Sequence, residues 1–199
     1  MRKKKFALIS VYNKTKLERI CDLFKKNDIQ IISTGSTAKY IKKIGFDCFK
    51  VSDFTKFKEI LSGRVKTLHP LIHASLLFDR QNKEHIDEFY DLHFPIIDFV
   101  IVNLYPFDEI PKISKVQKKY IEMIDIGGTT LLRSAAKNYH SITAICDINH
   151  YEDLIINMNN NSGQTSIKFR KEMASKVFEL TSFYDNKIFS WMKNKDDCL

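Results

Sequence analysis

"IDFVIVNLYPF", residues Ile97 to Phe107, decides the fold class. From Phe99 to Val102 the run is apolar without alternation. That is the pattern of a strand buried on both faces, as central strands of parallel sheets are. Working outward, "FALISV" (Phe6–Val11), "IQIIST" (Ile29–Thr34), "DCFKVSD" (Asp47–Asp53) and "ITAICD" (Ile142–Asp147) read as further strands. Helical periodicity fills the gaps between them. "KTKLERICDLFKKN" puts Leu17, Ile20, Cys21 and Phe24 on one face, "TAKYIKKIG" closes on Gly45 in the manner of a helix C-cap, and "TTLLRSAAKNYH" precedes the last strand. This rhythm predicts an α/β fold: three layers, with a mainly parallel sheet flanked by helices. A single domain is expected over 1–199, an α/β core over 1–149 followed by a helical C-terminal extension over 150–199. In the extension Met173, Val177, Leu180 and Tyr184 form one stripe, which suits core or a subunit interface.

The 199 residues suffice for one domain with a real core, and 44% hydrophobic with 28% charged residues is ordinary for a soluble globular chain. No apolar run approaches membrane-spanning length. "MRKKKFALISV" has a basic head, but "FALIS" is only strand length and no small-residue cleavage site follows. A cytoplasmic protein with no membrane partner is expected. Cys21, Cys48, Cys146 and Cys198 are scattered, with no C-x-x-C pair, and read as reduced thiols. Lys+Arg 32 against Asp+Glu 24 gives +8, which raises nucleic acid as a partner. The cations are spread through the chain and no nucleic-acid motif accompanies them, so no nucleic-acid role is expected.

Chemistry should gather beyond the carboxyl ends of the strands. The polar clusters "SVYNKT", "STGST", "NLYP" and "DIGGTT" all fall there. In "STGST", Gly35 permits a tight turn and the helix start offers N–H groups to a phosphate. The same residues also serve an ordinary helix-start turn capped by Ser36 or Thr37. In "DIGGTT", Gly127 and Gly128 shape the turn, Thr129 is a candidate cap, and Asp125 stands on an exposed rim. An Asp125–Lys137 pair within one pocket would have the mutual influence on proton affinity that proton transfer requires. "GRVKTLHP" (Gly63–Pro70) adds Arg64, Lys66 and His69. His69 and His73 are four apart, but Pro70 intervenes and no glutamate follows, so both read as packing or supporting residues and no metal is expected.

Taken as an ordered set, "ISVYNKT", "STGST", "VSDFTKF", "GRVKTLHPLIH", "NLYPF", "IDIGGTTLLRSAAKN" and "ELTSFYD" resemble the IMP cyclohydrolase domain, the amino-terminal half of the bifunctional AICAR transformylase/IMP cyclohydrolase family. The resemblance implies a methylglyoxal-synthase-like fold, a homodimer, and closure of the purine ring from 5-formamidoimidazole-4-carboxamide ribotide without metal or cofactor. It implies a phosphate cradle from Lys14, Thr34, Gly35, Ser36 and Thr37, with Tyr12 and Asn13 at its rim. Arg64, Lys66 and Thr67 become ligand contacts, with Lys66 facing the developing oxyanion. Asn103, Leu104 and Tyr105 border the base, Tyr105 among the catalytic groups. Asp125, Ile126, Gly127 and Gly128 take the carboxamide side, and Lys137 moves the proton. The family has Ser-Asp where Tyr12-Asn13 stand, a second glycine where Ser36 stands, and commonly His where Leu180 stands. It also continues into a transformylase domain that is absent here. Either the sequence is a piece of such a chain, or it is a free-standing cyclohydrolase supplied by a separate AICAR transformylase. A non-catalytic purine-nucleotide-binding or regulatory module on the same fold is the alternative.

Overall fold

The computed structural model describes residues 4–107 and 117–193. Met1, Arg2 and Lys3 of the basic start and Cys198 therefore lie outside the described residues. Five strands, β1 (Lys5–Val11), β2 (Ile29–Ser33), β3 (Phe49–Lys50), β4 (Ile97–Asn103) and β5 (Thr143–Ile145), form one sheet in the order β3-β2-β1-β4-β5. Every pairing in it is parallel. The helices are α1 (Leu17–Lys26), α2 (Gly35–Lys43), α3 (Val51–Thr55), α4 (Pro70–Leu77), α5 (Lys83–Asp91), α6 (Gln117–Glu122), α7 (Ile126–Lys137), α8 (Tyr151–Asn160) and α9 (Ile167–Lys193).

The unbroken apolar strands are explained by burial on both faces. Leu8, Val100, Val102 and Ala144 pack into one layer with α4, α5 and α7. Ala7, Ile9, Phe99, Ile101 and Ile145 pack into the other with α1, α2 and α8. Leu8, Ile9, Val100 and Ile101 are fully shielded from solvent, and each such side chain contributes about 1.5–3 kcal/mol. β1 and β4, adjacent at the centre, bring their loops to the point where the strand order reverses, the usual ligand crevice of such sheets.

Two expectations change. "DCFKVSD" is a strand only at Phe49–Lys50, because Asp53 accepts the Lys50 N–H (2.8 Å) and turns the chain into α3. The helical extension is part of the core: Phe169 and Met173 of α9 pack in one layer, Ala174 and Val177 in the other. α9 thus passes the sheet edge and closes both layers. Further along, Tyr184 joins Phe107 and Tyr120 in a third cluster. Cys21, Cys48 and Cys146 are buried free thiols, pushed up to about 12, 11 and 12, chiefly because burial disfavours the thiolate. No described helix is long and apolar enough to cross a membrane.

Candidate active site

The turn from β2 into α2 supplies the first wall. The N-cap is Thr34, not Ser36 or Thr37, and it makes no side-chain cap. Gly35 takes φ +48°, whereas Ser36 has no positive φ, so a side chain at 36 is accommodated without backbone strain. The Thr37 hydroxyl accepts the Val11 N–H (3.1 Å) and donates to the Val11 carbonyl (3.0 Å). Its side chain therefore ties α2 to β1 rather than facing a ligand. The first N–H groups of α2 remain for an anion.

The second wall is the loop before α4. Leu61, Ser62 and Gly63 take φ 52°, 54° and 88° in succession, a costly backbone closed by the Ile60–Val65 bridge. The glycine is required here. A Cβ on Gly63 would stand 2.6 Å from Lys66 Cε, and one on Gly35 would stand 3.5 Å from Lys66 Nζ. The Lys66 ammonium therefore lies across both glycines. Thr67 is buried, and its hydroxyl would stand 2.9 Å from a Cβ on Gly127. His69 caps α4 by accepting the Leu71 N–H (3.2 Å), and His73 Nδ1 lies 3.1 Å from the Ser134 hydroxyl on α7. Both support the loop. Burial holds the His73 imidazole below its usual range, with the Thr67 backbone opposing.

The third wall is the start of α7. Asp125, not Thr129, is the N-cap: its carboxylate accepts the Gly128 N–H (2.6 Å), while the Thr129 hydroxyl donates back to the Asp125 carbonyl (2.7 Å). A Cβ on Gly128 would stand 2.5 Å from Asp125 Oδ2, so only glycine fits. Burial raises the Asp125 carboxyl above the ordinary range, opposed by the Gly128 N–H and then by Lys66. Burial also raises the Tyr105 phenol, with Asp125 and Tyr12 adding to it.

Thr34, Arg64, Lys66, Thr67 and Tyr105 meet Asp125, Ile126, Gly127 and Gly128 around one cleft of about 500 Å³. A side opening of about 340 Å³ carries Gly35 and Lys66 with Lys39, Lys42, Lys50 and Lys58. Other expected contacts separate from these. Tyr12, Asn13, Lys14, Asn103 and Leu104 line a neighbouring cleft of about 710 Å³ that shares only Tyr105 with the first. The Lys14 ammonium donates to the Tyr12 carbonyl (3.1 Å), and Asn103 exchanges hydrogen bonds with the Asn13 backbone (2.8 and 2.9 Å). Tyr12 does not crowd an anion cradle; its ring meets Tyr105 edge-on at 5.2 Å. The larger correction concerns Lys137. It is the exposed last residue of the helix that Asp125 caps, so the two lie about 18 Å apart along the axis at 1.5 Å per residue. Within one chain they form no proton-transfer pair.

One residue escaped the sequence reading. Tyr184 of α9 accepts the Asp125 backbone N–H (2.9 Å) and donates to the Met123 carbonyl (2.9 Å). It looked like one more member of an apolar stripe; its place in "ELTSFYD" was the available signal. Tyr184→Phe strands both backbone groups and is expected to cost about 1–3 kcal/mol in denaturant unfolding. A loss below about 0.5 kcal/mol would remove the hydroxyl from this role.

The profile of the MGS-like domain family matches residues 16–130. The chain belongs to that family. A second profile, the AICARFT/IMPCHase bienzyme, matches residues 135–198 of this MGS-like chain. Its relatives include the bifunctional purine biosynthesis protein PurH of Clostridium botulinum, 44% identical over 98% of this chain and 38% of the relative. The protein of the same name from Caldicellulosiruptor saccharolyticus is 46% identical over 95% of this chain and 37% of the relative. The MGS-like chain thus spans well under half the length of these relatives. The crystal structure of ForH superposes with a TM-score of 0.83 at 23% identity, covering 93% of this chain and 97% of that one, which supports the fold.

Proposed function

We propose that this chain is an IMP cyclohydrolase, closing the purine ring of 5-formamidoimidazole-4-carboxamide ribotide. The carboxamide nitrogen attacks the formyl carbon, forming the C–N bond, and the resulting carbinolamine loses its hydroxyl together with the hydrogen of the former formamido nitrogen as water, leaving a C=N bond. That nitrogen is a poor nucleophile, so the site must take a proton from it and stabilise charge on the formyl oxygen. The carrying observation is that Lys66, Tyr105 and Asp125 share one cleft beside the uncapped start of α2. In this reading the α2 N–H groups and Arg64 hold the ribotide phosphate. Lys66 faces the oxyanion, a kind of preorganised donor worth about 3–4 kcal/mol. Asp125, with its raised proton affinity, takes the nitrogen's proton and returns it to the departing oxygen. Tyr105 borders the base. No step requires a metal or cofactor. The protein would work in the cytoplasm as a homodimer, with the formylated substrate coming from an AICAR transformylase on a separate chain or a linked domain.

The test is direct: purified protein mixed with the formylated ribotide should develop purine absorbance. A second reading has one observation in its favour, the position of Lys137 at the far end of α7. Tight binding of IMP in calorimetry with no turnover in the same preparation would support a nucleotide-binding module instead.

A further inference from the structure

One of the two cations of the cleft, Arg64, already faces a carboxylate of its own chain. Arg64 Nε donates to Glu122 Oε2 (3.1 Å) and its Nη2 to Glu122 Oε1, so the guanidinium edge that would grip a phosphate is held in a two-point bond. Glu122 ends α6 and lines the cleft with Arg64. Glu59 approaches Lys66 from the side opening: a Cβ on Gly63 would stand 3.1 Å from Lys66 Nζ and 3.8 Å from Glu59 Oε2, and one on Gly35 3.5 Å from the same nitrogen and 3.9 Å from Glu59 Oε1. Glu122 thus pairs with Arg64, while Glu59 borders the glycines beside Lys66 and makes no ion pair with it.

We propose that Glu122 is a charge gate on the cleft: it holds Arg64 until a ligand phosphate displaces it, and so weakens phosphate binding without affecting neutral nucleosides. The inference rests on the reading of this cleft as a ribotide phosphate site. Any ligand group that takes Arg64 must displace Glu122, and the displaced carboxylate then repels whatever negative charge has replaced it. A single charge gains little from the exchange, because it substitutes like for like. A neutral nucleoside brings no charge to Arg64, so its binding leaves the Arg64–Glu122 pair intact. The gate opens readily: the Arg64 and Glu122 side chains are 61% and 44% exposed, and such a pair is worth at most about fivefold in an equilibrium.

The experiment is a calorimetric titration of wild type, Glu122→Gln and Glu59→Gln with ribose 5-phosphate, IMP and inosine. Glu122→Gln is expected to bind both phosphates about two- to fivefold more tightly, with inosine unchanged. Glu59→Gln, which breaks no ion pair of the cleft, serves as the control and should leave both phosphates unchanged. Unchanged or weaker phosphate binding in Glu122→Gln would overturn the gate and make Glu122 a residue that orients Arg64. Equal tightening of inosine, or no phosphate binding by any variant, would overturn it too. Ring closure is not needed for this readout. A gate seen in a protein without turnover would stand while the cyclohydrolase reading fell.

Discussion

Lys66→Ala is expected to slow closure of the formylated ribotide by about 10²–10³-fold, the usual cost of removing one preorganised oxyanion donor. The thermal midpoint should barely move, because the ammonium lies in an open cleft rather than in the core. The argument rests on how the structure makes room for this side chain. Gly35 and Gly63, both with positive φ, leave the space across which Lys66 lies. A methyl group on Gly63 would fall 2.6 Å from Lys66 Cε. Turnover of Lys66→Ala within tenfold of wild type, by initial rates at saturating ribotide, would take Lys66 out of the chemistry.

Asp125→Asn should cost about 10²–10⁴-fold in turnover, the range of a positioned acid–base group, while leaving the helix intact. Asparagine caps as well as aspartate, and its oxygen can still accept the Gly128 N–H. The stability effect has a predictable sign. Burial raises the folded carboxyl above its ordinary 3.8, so the folded state prefers the protonated form and the buried charge is a burden at neutral pH. The variant should therefore melt higher than wild type near pH 7. That advantage should fade as the pH falls toward 3.8, where both states of the wild type take up the proton. Full turnover in the asparagine variant would exclude Asp125 as the proton acceptor. A lower midpoint at neutral pH would mean that the cap outweighs the cost of the charge.

The strands were legible because sheets buried on both faces demand unbroken apolar runs, and "FALISV" and "IDFVIVN" have no other use. β3 was overread because Phe49 and Lys50 are exposed, and the capping carboxylate of Asp53 ends the strand after them. α4 and α5 were not read at all. "PLIHASLL" carries no polar stripe, since Ile72 and Leu76 face the core while Leu77 is exposed. Part of the candidate site could be read from loop chemistry, which singled out Asp125 and its paired glycines at a strand-end rim; Lys66 and Thr67 came in as ligand contacts through the family resemblance. The remainder depended on partners far away in the chain. Nothing in local pattern announces that Tyr184 holds the Asp125 backbone, that Glu122 holds Arg64, or that Lys137 falls a whole helix length from Asp125. Helical spacing could have exposed the last error, because twelve residues of continuous helix separate the two.

The Tyr184 hydroxyl is bonded to an amide 59 positions earlier. During synthesis at about 5–20 residues per second, the nascent chain carries Asp125 for about 3–12 s before its anchor is made. At the start of that interval β1 to β4 are already on hand, while β5 and the acid's anchor are still to come. Chains released by premature termination before Tyr184 would lack the hydroxyl that holds the Asp125 backbone, so α9 completes both the core and the candidate site.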